Sequence, residues 1–321
     1  MAWAKLALIA GFAFLSFNSA AQEDTTAVYN LSYEDSLSIF DDMDSLSIFR
    51  LIDSVLSATQ KSSTLNVRLS YTSRVTSAGR DFSVKQYGLT PGVSFYHHSG
   101  AFADVSGYWN SQFEPNYSLT VLSAGYLGLP TKWLSYNIAF ERSFYAQTVS
   151  DSVITAPPNG LNGTLFFDAD WLYATIDYTY LFGNNDAHRL SGALSGNIVF
   201  RKVWFLDKIT LFPSANFLFG NEELVSYRFN VDLTDPRIQR LIRRFPRLRR
   251  RVLTPETRDV FGLMNVSFST PISLRYKQFS LLLSYTYNIP VELPGESLAD
   301  TKPNSYFSTS LGYMIPLRQK K

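Results

Sequence analysis

From Thr64 to Leu317 apolar and polar residues alternate with a period of two, in short runs divided by turn residues. Residues 171–200 show it most plainly: WLYATIDYTYLFG, then NNDAH, then RLSGALSGNIVF. Leu172, Ala174, Ile176, Tyr178, Tyr180 and Phe182 share one parity, and Thr175, Asp177 and Thr179 the other. Leu190, Leu194, Ile198 and Phe200 are likewise set against Ser191, Ser195 and Asn197. Period two is a strand signature and Asn-Asn-Asp is turn chemistry, so the stretch reads as a hairpin with one apolar and one polar face. In a soluble sandwich the apolar face would turn into a core; in a membrane barrel it would turn out into lipid.

The rest of the chain favours the barrel. Only 17% of residues are charged, against roughly 25% in soluble domains. The 19 Tyr and 25 Phe make an aromatic load of 15%, and Tyr and Trp suit membrane interfaces because each has an apolar body and a polar tip. Cys is absent, which excludes a disulfide framework, a thiol nucleophile, a thiolate metal site and an N-terminal lipidated Cys.

Met1–Ala21 carries Lys5, the apolar run Leu6–Phe17, and small residues Ser19 and Ala21 before Gln22. These are the parts of a secretory signal peptide, with cleavage expected near Ala21. The run is shorter than the roughly 20 residues a spanning helix needs, and no later segment reaches that length. A chain that spans a membrane without helices has to close a barrel. Residues 22–63 form an acidic leader holding Glu23, Asp24, Glu34, Asp35, Asp41, Asp42, Asp44 and Asp53, with Arg50 and Lys61 its only bases. It repeats DSLSIF at Asp35–Phe40 and Asp44–Phe49. Ile48, Leu51, Ile52, Val55 and Leu56 fall at helical spacing, so a short amphipathic helix is expected over about Ser45–Ala58. The leader is either a periplasmic plug or partner-docking segment, or a solvated tail packed on a barrel rim.

Strands are expected at about Leu65–Thr72, Leu89–Phe95, Ala101–Asn110, Tyr117–Leu127, Trp133–Tyr145, Leu161–Phe167, Leu172–Phe182, Leu190–Phe200, Ile209–Phe219, Val260–Ile272, Phe279–Ile289 and Ser305–Ile315. The fold class is therefore all-β, a transmembrane antiparallel up-and-down barrel of about twelve strands over 64–317, with a range of ten to fourteen and a basic tail at 318–321. Alternate connections are short (His98–Gly100, Leu129–Lys132, Asp168–Asp170, Lys202–Lys208, Ser273–Gln278). The others tend to be longer, above all the basic loop Gly220–Asp259. Short turns on one rim and longer loops on the other mark outer-membrane barrels, the short side being periplasmic.

These alternating strands, the aromatic load, the signal peptide and the last strand resemble outer-membrane β-barrel proteins of Gram-negative bacteria. The DSLSIF leader and TPGVSFYHHSGAFADVSGYW (Thr90–Trp109) resemble uncharacterised barrels of Bacteroidota. Ser310, Gly312, Ile315 and Leu317 are similar to the terminal signal that such barrels present to the barrel-assembly machinery, although the chain continues through Arg318-Gln319-Lys320-Lys321 where the family commonly stops on an aromatic. The resemblance implies an outer-membrane location.

Asp235–Arg251 reads DPRIQRLIRRFPRLRRR. Asp235-Pro236 is a helix start; Ile238, Leu241, Ile242 and Phe245 make one face. Arg237, Arg240, Arg243, Arg244, Arg247, Arg249, Arg250 and Arg251 are candidates for contact with lipopolysaccharide phosphate, for which the guanidinium fork is suited. A lumen-narrowing helix and a solvated loop stay open as alternatives. Nucleic acid is not expected as a partner of an exported barrel.

The three His are His97, His98 and His188. His97 and His98 are expected at a rim, projecting to opposite faces and forming no metal pair. His188 and Ser191, three apart on a strand, are expected on opposite faces, so a lipid-face His–Ser hydrolase is disfavoured. No cofactor motif is found. By parity Arg68, Arg74, Asp104, Glu141, Asp177 and Arg189 are expected to line the lumen, either pairing to seal it or setting the selectivity of a path. The functional expectation is a narrow channel or small-solute transporter. The alternative is a non-conducting barrel that anchors or docks through its loops and leader.

Overall fold

The computed structural model describes residues 63–81, 86–112, 116–146, 157–183, 186–229, 253–293 and 302–317. The leader, its expected helix, the signal peptide and the arginine run Arg237–Arg251 lie outside the described residues.

The alternating runs pair in sequence order into one antiparallel sheet, which closes on itself. Its twelve strands are β1 (Thr64–Thr72), β2 (Gly88–Tyr96), β3 (Ala101–Asn110), β4 (Tyr117–Gly128), β5 (Leu134–Tyr145), β6 (Asn159–Asp168) and β7 (Leu172–Phe182). Three two-segment strands follow: β8 (Ala187–Gly196, Ile198–Val203), β9 (Leu206–Leu211, Ser214–Phe229) and β10 (Leu253–Ser269, Ile272–Tyr276). Last come β11 (Phe279–Pro290) and β12 (Asn304–Pro316). Closure is made by β12, which pairs with β11 from Phe279↔Tyr313 to Asn288↔Asn304 and with β1 from Thr64↔Pro316 to Thr72↔Ser308.

The faces are reversed relative to a soluble fold. On β1, Thr64, Asn66, Arg68 and Ser70 are buried while Val67 and Leu69 are exposed. The same holds around the ring: Val93, Phe95, Val105, Ile138, Phe140, Ile176, Leu194, Phe217, Phe268 and Leu311 face out, while Ser94, Asp104, Ser106, Thr164, Thr175, Thr210, Ser284 and Thr286 face in. Water opposes such an outer surface and lipid stabilises it, at roughly 25 cal/mol per Å² of apolar area removed from water.

The connections are short on one rim: β2–β3, β4–β5, β6–β7, β8–β9 and β10–β11 join by tight turns, and both ends of the barrel wall meet there, with Leu317 N–H donating to the Ser63 carbonyl at 2.8 Å. The opposite rim carries the longer connections, with β7–β8 (183–186) the exception. One expected boundary is corrected. The basic loop placed at Gly220–Asp259 is shorter, because β9 continues to Phe229 and β10 begins at Leu253, paired throughout from Gly220↔Gly262 to Phe229↔Leu253. Glu222-Glu223 interrupts the apolar alternation there, but backbone pairing beyond the apolar belt needs no apolar side chains.

Two further features shape the rims. At one level Gly196-Asn197, Phe212-Pro213 and Thr270-Pro271 break β8, β9 and β10 together, a crease bridged by Gly196 N–H to the Pro213 carbonyl (2.8 Å) and Phe212 N–H to the Pro271 carbonyl (2.9 Å). Proline has no N–H to give to a ladder, which is why the breaks fall there. Below the crease, Ile198–Val203 pairs only with Leu206–Leu211, leaving its other edge open. At the long-loop rim, Thr76–Ser77 and Arg80–Asp81 form a small ribbon in the β1–β2 connection, turned by Ala78 (φ 46°) and Gly79 (φ 78°). Positive φ at both central residues is the two-residue hairpin geometry that matches strand twist.

Candidate functional site: a polar lumen with a latched mouth

The inward row that carries most structure starts at Arg68. Its register partners are Gly92 on β2 and Gly312 on β12, and Gly92 pairs in turn with Ser106 on β3. A Cβ at Gly92 would lie 2.7 Å from the guanidinium, so the glycine is what lets Arg68 cross β2 and reach β3. There Nη1 donates to Asp104 Oδ2 at 2.7 Å and Nη2 to Asp104 Oδ1 at 2.9 Å, a bidentate pair. Ser94 and Ser106 each accept from Arg68 and donate to Asp104. Two buried charges are thereby matched at both ends, as buried ions require.

The other expected lumen charges are placed separately. Asp177 on β7 faces in and accepts from Thr164 Oγ1 at 2.6 Å and Asn162 Nδ2 at 2.8 Å, both on β6, with Thr179 Oγ1 at 3.4 Å. These donors are neutral. Arg189 on β8 faces in and lies along Gly220, donating from Nη1 to the Asn221 carbonyl at 2.7 Å. Glu141 shares the inward parity of Ser135 and Ser143 on β5 and is half-buried. Arg74 follows β1 in the β1–β2 connection, outside the strand alternation, and is half-buried. Arg68, Asp104, Asp177 and Arg189 are 8%, 7%, 9% and 4% exposed, so these four are shielded from bulk water.

Sequence reasoning missed the mouth. The ribbon at Ala78-Gly79 folds into the barrel beneath the long-loop rim. Ala78 packs with Val260, Met264 and Leu293, and Leu218 against them. Three inward asparagines on adjacent strands form a chain: Asn265 Nδ2 to Asn288 Oδ1 at 3.3 Å, Asn288 Nδ2 to Asn304 Oδ1 at 3.1 Å, and Asn304 Nδ2 to the Gly79 carbonyl at 2.6 Å. Asn265 Oδ1 is buried with no partner. A Cβ on Gly79 would fall 2.2 Å from the Asn265 side chain, so only glycine fits at the tip. The Ala-Gly turn dipeptide was visible in the sequence; its three asparagine partners, from three distant segments, were not associated by any local pattern.

The histidines divide. His188 faces out and Ser191 in, as parity requires; His188 Nδ1 lies 2.8 Å from the Tyr178 hydroxyl, and its ring stacks on Tyr180. His97 and His98 do not project apart as expected. Their ring centroids are 4.0 Å apart and His97 Nδ1 is 2.8 Å from Ser99 Oγ. The pair lies in a turn closed by Gly100 N–H to the His97 carbonyl, where strand alternation no longer governs direction. Among the described residues no group of three or more His, Cys, Asp or Glu is placed to hold a metal ion.

No protein-family model matches the sequence, and no curated protein matches it. Among solved structures, the KdgM porin aligns over 78% of this chain and 98% of its own, at 9% identity and a TM-score of 0.41. The NanC porin aligns over the same shares at 12% identity and a TM-score of 0.41. LpxR from Salmonella typhimurium aligns over 77% and 99%, at 11% identity and a TM-score of 0.38. Similarity at this level carries nothing about activity, which has to come from the side chains themselves.

Proposed function

We propose that the protein is a bacterial outer-membrane barrel acting as a narrow channel for small polar solutes. The observation that carries this is the inward face of β1, β2, β11 and β12, where hydroxyl, amide and glycine positions predominate, while buried apolar side chains such as Leu119, Val121, Phe166 and Leu181 face inward from β4, β6 and β7. Twelve strands lie between the eight that side chains can fill and the sixteen or more that leave a wide aqueous pore. Most inward side chains of β11, β12, β1 and β2 are small, Arg68 and Tyr306 excepted, and the Ala78-Gly79 turn supplies a constriction. Arg68 and Asp104 cancel one another, and with Asp177, Glu141 and Arg189 the only other inward charges described above, the lining suits uncharged or weakly charged solutes.

A second reading, a non-conducting barrel that anchors or docks, is favoured by the low exposure of the four central charges. Single-channel conductance of the refolded chain from Gln22 onward in a planar bilayer separates the two. Small discrete steps with weak ion selectivity are expected; a silent bilayer from heat-resistant, folded protein refutes the channel. The arginine run between β9 and β10 belongs to the long-loop rim, and we assign it to lipopolysaccharide phosphate. Neutralising Arg243, Arg244, Arg249 and Arg250 should weaken binding to lipopolysaccharide micelles.

A further inference from the structure

The turn at the long-loop mouth is held less completely than the wall around it. The amide chain runs one way, from Asn265 through Asn288 to Asn304 and on to the Gly79 carbonyl. Each oxygen along it receives a proton except the first. Asn265 Oδ1 is buried and accepts no hydrogen bond, in a residue 8% exposed. Gly79 lies against it: a Cβ there would fall 2.3 Å from that oxygen. The neighbour the oxygen meets is therefore a methylene, a weak donor at best. A buried acceptor left without a donor costs free energy. The turn carries a second cost at Ala78, whose φ of 46° is a left-handed conformation that a Cβ disfavours. The ribbon that bears both costs is two residues long on each side, and an isolated two-stranded hairpin is marginal even when longer.

We propose that the chain Asn265–Asn288–Asn304 is a binding strip for an uncharged, polyhydroxylated solute, and that the Ala78-Gly79 turn occupies it until such a solute displaces it. This rests on the turn being the constriction of a channel, and it names the solute class to which that constriction answers. Gly79 meets both ends of the chain, so its departure opens both together, an acceptor on Asn265 and a donor on Asn304. A hydroxyl group is donor and acceptor at once and rotates to suit either role. Neighbouring hydroxyls on one solute therefore serve both ends, where the turn serves only Asn304. Three neutral amides offer no counter-charge to an ion. Ser284 and Thr286, inward and buried on β11 like Asn288, continue the polar row toward the short-turn rim. Displacement relieves Ala78 and supplies the missing donor, against the loss of Ala78 packing on Val260, Met264 and Leu293.

Ala78 is 2% exposed and the chain has no cysteine, so Ala78→Cys introduces a unique thiol that is shielded while the turn is in place. The refolded mature chain carrying it is treated with a charged, water-soluble methanethiosulfonate in zwitterionic micelles, with maltose as the probe solute. The labelling rate is expected to rise severalfold and saturably with maltose. Trimethylamine N-oxide, an osmolyte without donors, should leave the rate unchanged or lower it, because excluded osmolytes favour burial. Adding Asn265→Leu should raise the half-saturating maltose concentration by about tenfold, as the loss of one hydrogen bond does. Should that variant not fold, the maltose response of the Ala78→Cys chain decides alone. A rate that ignores maltose, an equal response to trimethylamine N-oxide, or a half-saturation unmoved by Asn265→Leu overturns the assignment. A response to glycylglycine but not to maltose overturns it in favour of an amide ligand. Labelling needs no conduction: a silent bilayer beside saturable labelling would refute the channel and leave the strip standing.

Discussion

At the scale of single residues, Arg68 and Asp104 behave as one unit. Removing one partner leaves a buried charge alone, which costs about 3–5 kcal/mol, so Arg68→Gln and Asp104→Asn should each lower the urea midpoint of the folded barrel markedly. The double variant should lose far less than the sum, because the two residues share one interaction. Gly92→Ala tests the path rather than the pair. Its methyl group meets a guanidinium pinned by Asp104, Ser94 and Ser106, and overpacking of this kind costs about 1–3 kcal/mol. A midpoint unchanged in Gly92→Ala would mean that the arginine has another route across β2.

At the scale of elements, the inserted ribbon is the part whose removal should change function without unfolding the wall. Asn304→Ala removes the donor to the Gly79 carbonyl and ends the asparagine chain, while β12 keeps its pairing with both neighbours. Single-channel recordings of this variant should show larger or more frequently open steps than the parent, with the same heat resistance. Identical traces would exclude the ribbon as the constriction. The strands themselves were legible because lipid outside and polar groups inside impose period two on every one; even β4 and β6, with weaker alternation, begin and end near their expected residues. What was not legible is whatever depends on partners distant in sequence. Parity turned Arg68 and Asp104 inward, but only register brings them together across Gly92. Parity also misled at His97-His98, which follow their strand. It was silent at Gly220–Phe229 and Leu253–Asp259, where pairing outruns the apolar belt.

At the scale of the whole molecule, the tryptophans mark where a bilayer would sit. Trp133 and Trp171 are exposed at the short-turn rim with Trp204, while Trp109 packs against Tyr87 with tilted rings towards the other. β7 rises about 3.3 Å per residue at a tilt of roughly 40°, so Tyr180 stands roughly 20 Å above Leu172, near the height of an apolar band of about 25 Å. Lipids brominated near the headgroup should therefore quench tryptophan emission more strongly than lipids brominated at the chain ends; the reverse order would place the wall at a different depth. The crease across β8, β9 and β10 divides this wall into two panels that differ mechanically. Above it each strand is clamped on both sides in a closed ring, and no strand can shift without its neighbours. Below it one panel ends at a free margin on β8 and stays paired with β11 on its other side, from Ile272↔Leu283 to Tyr276↔Phe279. Strain in this panel therefore falls hardest on its free margin, Ile198–Val203, and fades toward β11, while the hoop above the crease keeps its circumference.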